Sequence, residues 1–421
     1  MSLIELAYGR GTVSFEDVED RFQVLAPTET IAEKPLTDAE MGALIDDPLD
    51  SQPLEDILSP GESVLIVVSD ATRATASAQV SNLLVRRLVQ LGVAPTDIRI
   101  IFATGIHRKV TPEETRELLT PFITQRVRTI DHDADDPLQH VSLGVTERGT
   151  PIEVNRALTE HSHVIITGAI NFHYFAGFTG GRKSICPGLS SARTVAATHL
   201  HALDFETGGR RAGVATGRLD GNAVHEECER VAAEVAPSFL INTVVDERGR
   251  AVRLYAGDWR IAHRHACAEF ADAHTIRIDE KRAVVVASSG GSPHDINIVQ
   301  AHKSLDMATY ACREGGAIVL VAECAEGLGR ADFLQWFDAK DSRALEARLK
   351  ENYAVNGQTA WALLAKTERF NVHLVSELHD EQVKKMRMTP ARTVEEALAR
   401  IGGDAEGYVM PRGAHFMPVT G

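Results

Sequence analysis

The sequence predicts an α/β protein of two domains, each built on a mainly parallel sheet, with the active site in the cleft between them. Three observations carry this. Short, continuous apolar runs at Ser63–Ser69 (SVLIVVS), Ile98–Ala103 (IRIIFA), His163–Thr167 (HVIIT) and Ala283–Ser288 (AVVVAS) read as strands covered on both faces. Helical patterns alternate with these runs along the chain. At 421 residues the chain is too long for one ordinary core.

Taken in order, the first sixty residues give strand-like pieces at Leu3–Ala7 and Val18–Leu25, a helix at Asp38–Ile45, and proline-marked connections at Pro48, Pro53 and Pro60, with no evident chemistry. The run Ser63–Ser69 ends in Asp70-Ala71-Thr72-Arg73 and is followed by a helical pattern at Ser77–Leu91. Ile98–Ala103 runs into Thr104-Gly105-Ile106-His107-Arg108, and a helix starts near Thr111-Pro112-Glu113-Glu114, where proline and early acids mark an N-terminus. Arg128–Asp131 is a third short strand, leading to His132 between acids, and His163–Thr167 is the fourth. Polar residues just past parallel strands face the crevice at the sheet's C-terminal edge. Four strand ends therefore present Asp70 with Arg73, His107, Asp131 with His132, and His173 with Lys183. Helices at Asn222–Val235 and Trp259–Asp272 flank a strand at Phe239–Val245 and a hairpin turn at Asp246–Gly249.

The buried-strand pattern restarts at Ala283, and the domain boundary is placed just before it. The expected organisation is an N-terminal cofactor-binding domain over residues 1–275 and a C-terminal domain over 276–407, with the tail 408–421 able to return to the first. The loop Ser288–Pro293 opens a helix carrying Gln300 and Lys303, and strands at Ala317–Ala322 and Val372–Val375 alternate with helices up to Thr393–Ile401. Prolines in the tail YVMPRGAHFMPV point to a final edge strand.

The formal net charge of −15 argues against a nucleic-acid partner, which needs a basic footprint. No apolar run reaches membrane-spanning length, and the start MSLIELAYGRG lacks a basic region followed by an apolar core, so the expected compartment is the cytoplasm. Five cysteines, odd in number and without a CxxC pair, read as free thiols in a reducing compartment.

Chemistry concentrates in Ile165–Ser190, where a strand delivers a loop with His173, flanking aromatics, Gly180-Gly181, Arg182 and Lys183. A glycine pair lets backbone approach a ligand, and lysine offers an ammonium to an anion or, with a lowered pKa, an amine to an electrophile. A lone histidine is ordinarily a hydrogen-bonded structural residue. His107, His173 and His199 stand out because each sits in or near a glycine-bearing loop after a strand, whereas His161, His225, His263, His265 and His274 have no such setting. His132 is balanced between the two readings. His199 and His201 are two apart and point in different directions on a helix, so His199 alone is the candidate metal ligand. Gly180–Ser184 lacks the spacing of a phosphate loop, and no HExxH or CxxC motif supports a stand-alone zinc site. Arg73 follows a strand and Lys303 lies in the first turns of a helix, both suited to an anion.

These pieces, namely Asp70-Ala71-Thr72-Arg73, the ATGIH run ending at His107, NFHYFAGFTGGRKSICPG, Thr198-His199 and GGSPHDINIVQAHK, together resemble the lactate racemase family. The resemblance implies a racemase or epimerase that inverts C2 of a 2-hydroxy acid. Its cofactor would be a nickel-pincer nucleotide, pyridinium-3,5-bisthiocarboxylic acid mononucleotide, joined to Lys183 or bound without a link. His199 would complete the nickel coordination. Asp70, Gly180, Gly181 and Arg182 would hold the cofactor, and Arg73, Gln300 and Lys303 the substrate. His107 and His173 would be the two general bases, moving the hydroxyl proton while the Cα hydride passes to the cofactor and leaves a planar keto acid. Val299 stands where the lactate enzymes carry tyrosine, and Trp361 is only near the place of an expected tryptophan, so a larger or differently polar 2-hydroxy acid, or a sugar acid epimerised at C2, stands beside lactate. Two rivals are an oxidoreductase between 2-hydroxy and 2-keto acids and a non-catalytic cofactor carrier. The expected partner is the small-molecule substrate, with no nucleic acid or membrane and with a homodimer left open.

Overall fold

The computed structural model describes residues 2–17, 20–26 and 34–421. The chain forms two compact units. The N-terminal unit holds the described residues 34–202 and Arg211–Ala271. The C-terminal unit holds those up to 26, Leu203–Arg210 and Asp272–Gly421.

The N-terminal unit is built on a six-stranded sheet in the order Ala251–Gly257, Phe239–Val245, His163–Ala169, Val64–Ser69, Ile98–Ala103, Arg128–Ile130. Neighbours are parallel except for the first pair, a hairpin. Val64, Leu65, Ile66, Val67 and Val68 are all fully buried because the central strand is covered on both faces. Their side chains alternate between two cores. Val64, Ile66 and Val68 pack with Val80, Leu84 and Leu88 of the helix Ser77–Gln90. Leu65 and Val67 pack with Val224 and Val231 of the helix Ala223–Val235. Each such side chain contributes about 1.5–3 kcal/mol by leaving water. The parallel order has a chemical consequence. The C-terminal ends of Val64–Ser69, Ile98–Ala103 and His163–Ala169 lie on one sheet edge, with Ser69 level with Ala103 and Val67 level with Ile166.

The C-terminal unit has a second six-stranded sheet, in the order Thr389–Ala391, Asn371–Val375, Cys312–Val321, Arg282–Ser288, Gly407–Met410, Phe22–Val24, parallel throughout. The antiparallel hairpin Ser2–Tyr8/Gly11–Asp17 buries Leu6 and Phe15 in the same core as Val286, Val319 and Val375. Both chain ends thus depart from the expected domains. The first strands do not join the N-terminal unit, and the tail does not return to it, because Phe22–Val24 pairs with Gly407–Met410 and Met417–Thr420 pairs with Thr275–Ile278. Gly407–Met410 is also an inner strand rather than an edge, with Pro411 falling just past its end. Of the expected strand Val18–Leu25, Val18 and Glu19 lie outside the described residues and Phe22–Val24 is extended. No helix among the described residues is long and apolar enough to cross a membrane.

Candidate active site in the N-terminal unit

Three adjacent strand ends supply the first residues. Asp70 follows Val64–Ser69 and is buried, while His107, four residues past Ile98–Ala103, is partly exposed. His107 Nδ1 lies 2.8 Å from Asp70 Oδ2. Asp70 Oδ1 accepts from Thr72 N (2.8 Å) and Thr72 Oγ1 (2.5 Å). Burial alone would raise the Asp70 pKa, but the His107 and Thr72 hydrogen bonds outweigh it and hold the carboxyl below its usual range. The carboxylate therefore accepts the Nδ1–H of His107, and in that tautomer the lone pair sits on Nε2. Gly105, at φ +54°, makes the turn between them and donates to Gly188 O at 2.8 Å. Gly188 N in turn donates to Lys183 O at 3.0 Å, which ties the His107 loop to the Lys183 loop.

His173 sits in the tiny hairpin Phe172–His173/Gly177–Phe178. Ala176 N donates to its Nδ1 at 3.2 Å, so the neutral ring carries its proton on Nε2. Its edge meets the Phe175 ring at 4.5 Å between centroids. His199 meets the same ring at 5.0 Å, and Lys183 Nζ lies 5.6 Å from its centroid. One phenyl ring thus gathers His173, His199 and Lys183.

Electrostatics follow from this crowding. Burial, then the charge of Lys183, pushes His199 down to about 3. His199 lies in the last turn of the helix Ala192–Leu200, where a cation is ordinarily favoured, yet burial prevails and the imidazole is neutral. Burial pulls Lys183 down to about 7; Arg182 and Arg73 add to this, and Cys228 and Cys186 oppose it. His173 falls well below the usual imidazole range through burial, then through Lys183, Arg73, His199 and Arg182. Arg73, exposed just past Asp70, is thus within electrostatic reach of both His173 and Lys183.

Other expected residues have different duties. Arg182, expected at the cofactor, is fully buried and turned inward. Its Nη2 donates to Ala176 O (2.8 Å) and Phe178 O (3.0 Å), and Nη1 lies 2.9 Å from His263 Nε2. A guanidinium bonded to its own loop's carbonyls holds that loop in shape. Gly180 and Gly181 both have positive φ, and what crowds them is protein. A Cβ on Gly180 would lie 2.7 Å from Asn242 Oδ1, and one on Gly181 would lie 2.5 Å from His263 Cδ2. His132, buried, is held between Ser190 O (3.2 Å) and Asn155 Nδ2 (3.2 Å), a structural role. His201 turns to Thr150 Oγ1 at 3.2 Å. Gln300 and Lys303 lie in the C-terminal unit on the helix Ile298–Ala311, where Lys303 Nζ donates to Gln300 Oε1 at 2.6 Å. Trp361 is buried and donates to Glu346 Oε1 at 3.0 Å. The sequence reading missed the Asp70–His107 pair. Its signal was the placement of both residues just past neighbouring parallel strands.

The donor set can be tested against the implied metal nucleotide. Among the described residues no group of three or more His, Cys, Asp or Glu could hold an ion. A single neutral imidazole, His199, stands beside an amine of lowered pKa. That set fits a metal that brings its remaining ligands on an organic frame, and an amine able to meet an electrophilic carbonyl or thiocarbonyl carbon.

A two-unit α/β fold with an Asp70–His107 pair at neighbouring parallel-strand ends has the parts that acid–base chemistry uses. The lactate racemase N-terminal domain matches residues 8–208 and the lactate racemase C-terminal domain matches residues 278–416. The lactate racemase of Lactiplantibacillus plantarum is 30% identical over 98% of this chain and 99% of its own. That of Thermoanaerobacterium thermosaccharolyticum is 28% identical over 98% of each. The structure of the latter's apoprotein superposes with a TM-score of 0.89 at 27% identity, covering 99% of this chain and 100% of that one. A crystal structure of a Thermotoga maritima protein shares the fold, with a TM-score of 0.67 at 19% identity over 92% and 99% of the two chains. The chain belongs to the lactate racemase family, and it is an isomerase of the racemase class.

Proposed function

We propose that the protein inverts C2 of a 2-hydroxy acid with a nickel-pincer nucleotide held by His199 and Lys183. The observation that carries this reading is the convergence of His173, His199 and Lys183 on the Phe175 ring, with the Asp70–His107 pair on the neighbouring strand ends. When bound, the cofactor supplies a reversible acceptor for the Cα hydride. This route suits the substrate, because a Cα–H next to an ionised carboxylate is too weakly acidic for direct deprotonation by imidazole.

The chain's own residues handle the proton and the anion. His107 Nε2 accepts the hydroxyl proton, and Asp70 balances the imidazolium that results. His173 presents an N–H from Nε2 to the substrate oxygen and steadies it as a carbonyl. In the reverse sense His173 becomes the acceptor through its other tautomer, and the 3.2 Å bond from Ala176 that opposes this is at the long end of the range. Arg73, within electrostatic reach of His173 and Lys183, is the cation suited to the substrate's carboxylate. Val299, beside Gln300, leaves the identity of the acid open to chains longer than lactate. Five buried free thiols suit a reducing cytoplasm.

The test follows an enantiopure 2-hydroxy acid deuterated at C2, given to protein made together with the cofactor-forming enzymes. Nickel content and inversion are measured together by metal analysis and NMR. Inversion with deuterium kept at C2 is expected. Loss of the deuterium to water would show a carbanion route and overturn the hydride reading. Accumulation of free keto acid would favour an oxidoreductase.

A further inference from the structure

The loop that carries Lys183 is held from outside by buried polar groups. Ser184 Oγ donates to Thr167 O at 2.8 Å, and Gly181 N donates to Asn242 Oδ1 at 3.0 Å. A third anchor is His263, from the first turn of the helix Ile261–His274. Its ring is buried against Gly181, and Nε2 lies 2.9 Å from Arg182 Nη1. Arg182 reaches on to Ala176 O at 2.8 Å and Phe178 O at 3.0 Å. Ala176 is also the residue whose N–H donates to His173 Nδ1 at 3.2 Å. A line of contacts therefore runs from His263 through Arg182 and Ala176 to His173, all within the N-terminal unit.

Chemistry decides how His263 meets Arg182. Burial, then the charge of Arg182, holds His263 well below the usual imidazole range, so the ring is neutral at pH 7. Its Nε2 stands between a donor, Arg182 Nη1, and an acceptor, Thr179 O at 3.0 Å, and a neutral nitrogen serves only one of them. A proton on Nε2 bonds Thr179 O but turns an N–H toward the guanidinium. A proton on Nδ1 leaves the Nε2 lone pair to take a charge-assisted bond from Arg182, the stronger choice in a buried setting. The other groups around the ring are Cys267 Sγ, 3.4 Å from Nε2, the stacked His225 ring at 6.5 Å, and the charge of Arg264.

We propose that His263 is a positioning residue for the reaction: its Nε2 lone pair anchors Arg182, and Arg182 holds Ala176 so that His173 keeps its proton on Nε2, the nitrogen offered to the substrate. His263 has no chemical step of its own and acts through Arg182. Without the lone pair, Arg182 loses an acceptor, the Ala176 amide is free to shift, and His173 Nδ1 no longer has a fixed donor. The inference rests on the function proposed above in one respect, the use of His173 on the substrate oxygen. The tautomers of the two rings stand or fall without it.

The experiment uses the full chain with isotope-labelled histidine and reads both tautomers in cofactor-free protein by long-range proton–nitrogen NMR, the rings being assigned from His263→Gln and His173→Gln. In the parent, His263 should carry its proton on Nδ1 and His173 on Nε2. His263→Leu keeps an apolar side chain against Gly181 and removes the acceptor, and it should turn His173 into a mixture of tautomers. In cofactor-loaded protein the same change should lower kcat for inversion, taken per bound nickel, by about tenfold to a hundredfold, with KM moving less than about twofold. His263→Gln, whose Oε1 can accept from Arg182, should restore the His173 tautomer and most of kcat. A proton on Nε2 of His263 overturns the proposal, and so does a His263→Leu variant in which either the His173 tautomer or kcat stays as in the parent. The parent's own spectrum decides the first half even where His263→Leu does not fold. The expected tautomers in a nickel-loaded protein that inverts no acid overturn the racemase reading and leave the hold on His173 intact.

Discussion

Asp70 is buried and His107 is partly exposed, and the 2.8 Å bond between them assigns a different task to each. The carboxylate's pKa is depressed, so its share of stability is present above the unfolded value of about 3.9 and is lost as pH falls through the lower folded value. Lys183 runs the other way. Its pKa of about 7 lies below the unfolded value of about 10.4, so folding pays for a buried ammonium at pH below 7. Between these two values the unfolded chain binds more protons, and the contribution of Lys183 to stability rises with pH. The chemical counterpart is an amine that is about half unprotonated at pH 7. Reductive methylation of cofactor-free protein, read peptide by peptide by mass spectrometry, should therefore label Lys183 with a midpoint near pH 7. Exposed lysines should follow a midpoint near 10. A Lys183 profile that tracks the surface lysines would remove the basis for its role as a nucleophile.

At the scale of an element, the loop Gly177–Gly188 shows what sequence could and could not disclose. The strands that deliver it were legible because uninterrupted apolar runs have one economical use, the centre of a covered sheet. The gathering of His173, Lys183 and His199 was legible only as far as their crowding within one short stretch of chain. A place past a strand end does not settle a side chain's duty: His132 stands in the same setting and is held structurally. The direction of Arg182 was not legible. It depends on Ala176 O, Phe178 O and His263, and the last of these comes from a helix eighty-one positions away. The reason for glycine at 180 and 181 was hidden in the same way, in Asn242 and His263. Replacing Arg182 with Met leaves buried carbonyls without donors and should cost about 3–5 kcal/mol. That corresponds to a Tm lower by roughly 10 °C for a unit of this size. Calorimetry of the cofactor-free protein checks it, and a Tm within a degree or two of the parent would mean that the loop keeps its shape by other means.

Over the whole molecule, the C-terminal unit is assembled from three separated pieces of chain, and its stability should reflect all three. Local periodicity could not show this, since the pairing partners lie at opposite ends of the sequence. Leu25 N donates to Val409 O at 2.7 Å, and Ser288 Oγ donates to Ala7 O at 2.6 Å. Buried Asp295 receives Gly9 N, and Leu6 and Phe15 fill the core beside Val286 and Val319. The middle piece, Leu203–Arg210, matters through charge. Arg210 lies 3.3 Å from buried Asp306, which also holds Lys366 at 2.8 Å, and Gly209 N donates to buried Glu346 at 2.8 Å. A fragment of residues 272–421 lacks both additions. It keeps five of the six strands of its sheet but exposes one edge of Gly407–Met410, opens the space filled by Leu6 and Phe15, and strips partners from Asp295, Asp306 and Glu346. Each stripped carboxylate costs on the order of 1–3 kcal/mol, and each lost core side chain about 2–5 kcal/mol, sums comparable to the 5–15 kcal/mol that holds a domain together. The fragment should therefore show no cooperative thermal transition by circular dichroism. Supplying residues 1–26 in the same polypeptide should recover part of one, because that restores the edge strand and core but not Arg210. A cooperative transition of the bare fragment near the temperature of the intact chain would show that the terminal strands and the Leu203–Arg210 segment are ornaments on a unit already stable without them.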